Sequence, residues 1–476
     1  EMEKYISEEK DLEVYRHFLD TILRKKDHVL SQREEELLAQ MSEVSESPQN
    51  TFSMLNNADL QFPKIKDENN KEVEITHGNF IPLMESNNRE VRKNAFKSLY
   101  SVYKSFENTF AAPLNGDLKN NIFNASLRNY SSTREASLGS NNVPLSVYDN
   151  LIKSIHNNLD SMYKYMDIRK RVLGVDELHM YDLYTPIVKD YKFEITFEEC
   201  VDLITKALAP LGEEYVEAMK EGFQSRWIDI YENRGKRSGA YSSGSYDSKP
   251  FILLNYHNTL DNLFTVAHEM GHSMHSYFTR KYQPYVYGNY SIFVAEVAST
   301  VNEALLLDYM IENAKNKNEK LYLINHYLES FRTTVFRQTM FAEFEMIINN
   351  HLESGGALTA EYLNEEYKKL NKLYYGPNMV VDEEIAIEWA RIPHFYYNFY
   401  VFQYATGFSA AMDLSQKILG DNSNHVEKYI GFLKSGSSDY PINVLKNAGV
   451  DMTIEEPVNN AMKLFGKLVE EFEQLI

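Results

Sequence analysis

Two histidines one helical turn apart, with a glutamate between them, carry the strongest chemical signal in this sequence of 476 residues. His268, Glu269 and His272 form an H-E-x-x-H pentad. On a helix, side chains at i and i+4 project from one face. Two neutral imidazole nitrogens placed in this way can bind a tetrahedral Zn²⁺ ion, and Glu269 can act as the base for the attacking water. The alternative is an ordinary buried helix with two hydrogen-bonded histidines.

The pattern predicts a third metal ligand at Glu296. A catalytic zinc ion needs three protein ligands and one open position. The segment 291–306 is apolar on most sides of a helix, so Glu296 is expected to point into the interior. A buried carboxylate is costly unless it is paired or bound to a metal. Glu303 lies two turns further along the same face, where it either hydrogen-bonds to a ligand imidazole or is a carboxylate on the helix surface.

Three short segments before the pentad have the composition of strands, at 227–231, 238–243 and 251–256. A helix capped by Thr259 is expected to follow them. An edge strand that contains Gly239, Ala240 and Tyr241 could bind the main chain of an extended peptide by adding it to the sheet. The alternative is an ordinary surface hairpin.

A segment rich in aromatic residues, 391–407, contains the second group of candidate catalytic residues. A helix that starts near Pro393 would place His394, Tyr397, Tyr400 and Tyr404 on one face. A neutral tyrosine hydroxyl or a histidine N–H on that face could stabilise the oxyanion that forms during hydrolysis of a peptide bond. The alternative is a stripe of core aromatic residues whose hydroxyls are satisfied.

Together these motifs resemble the thimet-type zinc oligopeptidases, and within that family they are most similar to oligoendopeptidase F. The segment Phe293–Glu296 follows the pentad, with Glu296 28 residues after His268 and Glu303 beyond it. The segments 232–242, 250–256 and 391–407 support the same resemblance, which extends over nearly the whole chain.

The resemblance implies a mainly α-helical zincin of the gluzincin type, with a small β-sheet and a catalytic core in a deep cleft between helical lobes. It implies one Zn²⁺ per chain, bound by His268, His272 and Glu296. With Glu269 as the base, the implied activity is hydrolysis of internal bonds in short unfolded peptides. Two alternatives are a zinc hydrolase that acts on a non-peptide amide or ester, and a peptide-binding protein without catalytic activity.

The resemblance also assigns roles in the aromatic segment. His394 matches the family histidine, and Tyr400 and Tyr404 match two family tyrosines if one extra residue is allowed after His394. Gly407 stands where thimet-type members have a further tyrosine. Tyr397 could supply that hydroxyl on geometric grounds.

The composition limits which binding partners and which cellular compartment are compatible with the sequence. A net charge of −20 argues against nucleic acid and anionic membranes as partners, since both require a basic surface. A single cysteine, Cys200, excludes an internal disulfide framework and suits the reducing environment of the cytoplasm. No apolar run approaches the length of a membrane span. The oligomeric state is not determined by the sequence.

We expect two domains. Residues 1–78 are predicted to form part of an N-terminal helical domain with a hairpin, and residues 79–476 to form the helical peptidase domain that contains the pentad. Because oligoendopeptidase F members carry further helical sequence upstream, the resemblance implies that an upstream part of the first domain is absent.

Overall fold

The computed structural model describes residues 2–188, 193–420 and 423–476. Helices dominate it, as predicted. Their bounds are α1 Met2–Glu8, α2 Arg16–Leu23, α3 Gln32–Ser45, α4 Ser47–Met54, α5 Phe80–Met84, α6 Arg89–Ser105, α7 Glu107–Leu127, α8 Thr133–Gly139, α9 Leu145–His156, α10 Leu159–Leu173, α11 Phe197–Ala207, α12 Glu213–Gln224, α13 Leu260–Tyr282, α14 Ile292–Glu312, α15 Lys317–Phe331, α16 Arg337–Glu353, α17 Ala360–Tyr375, α18 Phe402–Leu419, α19 Ser423–Ser435, α20 Pro441–Asn447 and α21 Glu456–Leu475.

Three small sheets accompany the helices. The strands are β1 Lys64–Lys66, β2 Glu72–Glu74, β3 Leu178–His179, β4 Ile228–Asp229, β5 Tyr241–Ser243, β6 Phe251–Leu253 and β7 Met379–Val380. β1 and β2 form the predicted antiparallel hairpin, and β3 pairs with β7 in parallel. The third sheet has the order β4-β6-β5, so β5 is an edge strand. This sheet directly precedes α13, the helix of the H-E-x-x-H pentad.

Helix α13 begins where the sequence predicts. The side chain of Thr259 accepts a hydrogen bond from the backbone N–H of Asn262, which satisfies a donor that the first turn leaves free. Asp261 in the first turn and Arg280 and Lys281 in the last turn complement the helix dipole. The apolar residues on one side of the helix are buried, which anchors it in the core: Leu263, Val266, Ala267, Met270 and Met274.

Helices α13 and α14 pack closely because Gly271 has no side chain. A Cβ atom at this position would lie 2.6 Å from the Cα of Ser299 and 2.9 Å from the carbonyl oxygen of Ala298, both in α14. The close approach brings the pentad and Glu296 to one place. Helix α14 is buried on almost every side.

None of the helices in the described ranges is both long and apolar enough to cross a membrane.

Candidate active site

The three predicted metal ligands converge on one point. The Nε2 atoms of His268 and His272 are 3.2 Å apart, and each lies 3.4 Å from Oε2 of Glu296. Ligand atoms about 2.0–2.1 Å from a tetrahedral ion are themselves about 3.3–3.4 Å apart, so the triangle has the size that such an ion requires. The side chain of Glu296 is 46% exposed rather than buried as expected. The site therefore has an open side, where a substrate can reach it.

Glu303 contacts the first of these ligands, which answers the question that the sequence left open. Its carboxylate is hydrogen-bonded to Nδ1 of His268. With one proton held at Nδ1 by Glu303, Nε2 of His268 faces the carboxylate of Glu296 and His272, and it can bind a metal ion when its own proton is released. Acceptors that face one another in this way need a cation between them. The residues present therefore fit a metal ion.

The local electrostatics also favour positive charge at this point. Burial alone would lower the pKa of His268, but hydrogen bonds with Glu296 and Glu303 and their negative charges outweigh it and raise the pKa to about 10. The hydrogen bonds with His268 and His272 hold the pKa of Glu296 well below its usual range. The carboxylate of Glu296 thus remains ionised and able to bind a cation.

A buried hydrogen-bonded chain holds α14 in register with α13. The side-chain amide of Asn302 donates to the carbonyl of Ala267, 3.1 Å away, directly before the first ligand histidine. The hydroxyl of Tyr215 donates to Oδ1 of Asn302 at 2.8 Å. Sequence reasoning missed Tyr215, because its distance along the chain gives no sign of this contact.

Glu269 lies beside the triangle and is not part of it. Its side chain is buried, and burial raises the pKa of its carboxyl group, whereas the neighbouring imidazoles and a hydrogen bond from the backbone of Ser242 lower it. The general base predicted from the pentad is therefore in contact with the edge strand β5.

The hydrogen-bond pattern of the sheet shows which groups of β5 are free. The N–H of Ile252 in β6 donates to the carbonyl of Trp227, which directly precedes β4. Successive residues of a strand direct their main-chain groups to opposite sides, so Phe251 and Leu253 direct theirs to β5. There they pair with Ser243 and Tyr241. The main-chain groups of the intervening residue of β5 consequently point away from β6. Its N–H donates to the carboxyl group of Glu269, which leaves its carbonyl for the open edge.

That intervening residue is Ser242, which sequence reasoning did not single out. Its side-chain hydroxyl lies 2.8 Å from that of Ser273 in α13, which fixes the edge strand against the pentad helix. Of the predicted substrate-binding residues, Tyr241 uses its main chain for pairing and keeps a 47% exposed side chain, and the carbonyl of Gly239 accepts from Asn255. A cavity of about 420 Å³ lies beside them, and Gly239 and Ala240 are among its lining residues.

The aromatic segment is not the single helix predicted from its periodicity. A short 3₁₀ turn spans Pro393–Tyr396, and α18 begins only at Phe402. Between them Asn398 and Phe399 adopt left-handed conformations, with φ of 45° and 57°. The prediction of one helix is wrong because hydrogen bonds from distant parts of the chain hold this turn, and periodicity cannot show them.

The turn nevertheless gathers the four predicted side chains. The ring of His394 lies 5.5 Å from that of Tyr397, 6.5 Å from that of Tyr400 and 5.9 Å from that of Tyr404, measured between centroids. The hydroxyl of Tyr404 is 3.4 Å from Nε2 of His394. Tyr397 is the most exposed of the group.

Two of these groups are neutral donors at neutral pH. Burial raises the pKa of Tyr404 to about 12, helped by Tyr400 and by the negative charge of Glu296, which places this hydroxyl on the side of the metal ligands. Burial also lowers the pKa of His394. Neutral hydroxyl and imidazole groups of this kind can donate hydrogen bonds to a developing oxyanion.

Comparison with known proteins shows the family of the chain. Residues 82–464 match the model of peptidase family M3, and residues 1–62 match that of oligopeptidase F. Oligopeptidase PepF of Bacillus subtilis (strain 168) is 55% identical over 475 residues, which cover 100% of this chain and 71% of PepF. The chain belongs to peptidase family M3.

Two further M3 relatives have similar coverage. Group B oligopeptidase PepB of Streptococcus agalactiae is 48% identical over 100% of this chain and 79% of its own length. The crystal structure of oligoendopeptidase-F from Enterococcus faecium superposes with a TM-score of 0.84 at 45% identity, covering 100% of this chain and 80% of that one. This M3 chain is accordingly a metalloendopeptidase that cleaves peptides, and its family implies a metal cofactor.

The M3 assignment leaves one place for the metal in the part of the chain that the structure describes. There, the only group of three or more His, Cys, Asp or Glu residues with suitably close ligand atoms is His268, His272 and Glu296. His275 lies outside it: its ring stacks on Tyr290 with centroids 3.6 Å apart, and burial lowers its pKa to about 3.

Proposed function

We propose that this chain is a zinc oligoendopeptidase that hydrolyses internal bonds of short unfolded peptides, with one Zn²⁺ held by His268, His272 and Glu296. The observation that carries the proposal is the triangle of ligand atoms 3.2–3.4 Å apart, next to a buried glutamate. When bound, the ion would polarise the scissile carbonyl and lower the pKa of the attacking water.

Glu269 acts as general base and then as general acid. Its carboxylate accepts a proton as the water oxygen bonds to the carbonyl carbon. It returns that proton to the nitrogen of the leaving amine as the C–N bond breaks. Its contact with Ser242 supports this role, because the base then lies beside the strand along which the substrate would extend.

The aromatic cluster stabilises the negative charge that develops on the carbonyl oxygen. Tyr404 and His394 are the main oxyanion donors, since both are neutral donors. Tyr404 is also close enough to Glu296 for that negative charge to raise its pKa. Tyr400 and then Tyr397 follow. Their rings pack against the first two, so they orient the donors or add hydrogen bonds of their own.

The edge strand selects extended peptides. A substrate that pairs with the carbonyl of Ser242 at the open edge must itself be an extended chain, which a folded protein cannot offer. Gly239 and Tyr241 flank this strip, and the cavity beside it can accept a substrate side chain. Short unfolded peptides are therefore the substrates, rather than nucleic acid or membranes.

Two assignments concern the chain as a whole. We divide it into an N-terminal helical domain at 1–78 and a catalytic domain at 79–476, which the separate family matches on either side of this boundary support. A cytoplasmic location is supported by the composition, with its single cysteine, Cys200, buried and free.

The test uses internally quenched peptides of several lengths, an unfolded protein, a folded one, and a non-peptide amide and ester. Each is incubated with the protein as isolated, after chelation, and after Zn²⁺ is restored. We expect internal cleavage of the short peptides, loss on chelation and recovery with Zn²⁺. Cleavage of only non-peptide amides or esters, or binding of peptides without cleavage by the metal-loaded protein, would overturn the proposal.

A further inference from the structure

The turn that joins His394 to Tyr404 is held in an unfavourable conformation. Asn398 and Phe399 both have φ in the left-handed region, at 45° and 57°. L-residues with a side chain rarely adopt this region, and two in succession persist only where neighbouring groups hold them. The question is which groups hold the turn.

A single peptide group within the turn is hydrogen-bonded through both its carbonyl and its N–H. The carbonyl of Asn398 accepts a hydrogen bond of 2.7 Å from the hydroxyl of Ser137 in α8. The N–H of Phe399, which belongs to the same peptide group, donates to a carboxyl oxygen of Glu345 in α16. These two contacts fix the plane of the peptide group, and with it the direction of the chain on each side.

Glu345 is an unusual residue to find in this place. It is 0% exposed, and its second oxygen has no hydrogen-bond partner among the described residues. Asp117 from α7 and Tyr148 from α9 face it, and neither is a cation. Burial raises its pKa to about 8, so a neutral acid stands there at neutral pH. A buried carboxyl group without an ion-pair partner is costly, which calls for a specific function.

We propose that Glu345 is a positioning residue for peptide hydrolysis: by holding the Asn398–Phe399 peptide group, it sets the placement of His394 and Tyr404. The inference rests on the proposed function, in which these two side chains stabilise the oxyanion. Without the acceptor, the peptide group is free to rotate. His394 and Tyr404 then no longer point at the same oxygen position. Peptide binding along β5 is unaffected, because that strand lies on another part of the chain.

The first test compares Glu345→Ala with Glu345→Gln. The glutamine is the same shape as the neutral acid and keeps an acceptor for the N–H of Phe399. We expect Glu345→Ala to lower kcat by about 10–100-fold, as small misplacements of catalytic groups do. KM should stay within about twofold and the metal content should not change. Glu345→Gln should restore kcat to within about threefold of the wild type.

A matched control separates positioning from a general loss of packing. Asp308 in α14 is a partly buried carboxyl whose pKa burial raises, to about 7, and it accepts a hydrogen bond from Gln416. Asp308→Ala removes a comparable group outside the aromatic turn, so its kcat should equal that of the wild type. A loss in Glu345→Ala no larger than in Asp308→Ala would refute the inference.

A double variant provides the sharpest readout. If Glu345 acts through Tyr404, the losses in kcat from Glu345→Ala and Tyr404→Phe should not multiply when combined. Losses that multiply would contradict the inference. If Glu345→Ala fails to fold, Ser137→Ala replaces it, since this change frees the other end of the same peptide group and should lower kcat about threefold to tenfold.

The outcomes distinguish the inference from the function on which it rests. A wild-type protein that cuts no peptide refutes both. An active wild type whose Tyr404→Phe and His394→Ala variants keep full kcat refutes the oxyanion role, and the inference fails with it. An active wild type that loses kcat with Tyr404→Phe but not with Glu345→Ala or Ser137→Ala refutes the inference alone.

Discussion

Replacement of Gly271 by alanine should disturb the metal site from a position that contacts no substrate. A Cβ atom there would lie 2.6 Å from the Cα of Ser299, whereas carbon atoms at rest are about 3.5–4.0 Å apart. The opposing atoms belong to the backbone of a buried helix and cannot rotate away. Helices α13 and α14 must therefore separate by about 1 Å.

The separation acts directly on the metal triangle, because Glu296 lies one turn before Ser299 on α14. Its Oε2 is 3.4 Å from each ligand imidazole. Metal–ligand distances tolerate changes of only about 0.2 Å, so a shift of this size removes a ligand or distorts the site. We expect Gly271→Ala to weaken metal affinity by at least about tenfold and to lower the free energy of unfolding by about 1–3 kcal/mol.

The assay combines chelator competition for metal affinity with denaturant unfolding of the metal-free protein. Gly431→Ala is the matched control, since a Cβ atom added to this helical glycine in α19 would meet no neighbouring atom within 4 Å. That variant should bind metal normally and gain up to about 1 kcal/mol of stability from the better helix propensity of alanine. Wild-type metal affinity in Gly271→Ala would refute the argument from helix packing.

Three further predictions concern the site. Glu303→Ala should weaken metal affinity by about 10–100-fold in the same competition assay, because the imidazole of His268 loses the partner that orients it; unchanged affinity would contradict this. Tyr404→Phe should lower kcat by about 100-fold with little change in KM, as loss of an oxyanion donor does, and a rise in KM alone would contradict that role. The raised pKa of Glu345, about 8, means that folding favours its proton, so wild-type stability should fall as pH rises from about 4.3 through 8. Glu345→Gln should remove most of this fall, although Asp117 also titrates nearby; parallel stability–pH curves for the two proteins would exclude the assignment.

The geometry of the candidate metal site was predictable because its signals are local. His268 and His272 are related by the repeat of one helix, and Glu296 is conspicuous as a carboxylate in an apolar helix. The cap at Thr259 and the strands before it also follow from neighbouring residues. The role of Glu303 stayed open, since periodicity places it on the correct face but cannot show that a particular imidazole lies opposite.

The backbone path of the aromatic segment could not be predicted from local signals. Its periodicity favours one helix, but Glu345 and Ser137 hold the peptide group between Asn398 and Phe399, and the chain turns there. The same limit applies to Ser242, whose carbonyl points to the open edge only because of the order of strands in the sheet. Long-range hydrogen bonds and strand order are properties of the assembled fold, and residue spacing does not encode them visibly.

The central claim is that Glu269 moves the proton in a metal-dependent cleavage of peptides. The most direct measurement is kcat for one internally quenched peptide, cut by wild-type protein and by Glu269→Gln at equal, measured metal content. We expect the variant to bind metal as the wild type does and to lose about 10²–10⁴-fold in kcat. A variant that retains its metal and cleaves at the wild-type rate would contradict the account.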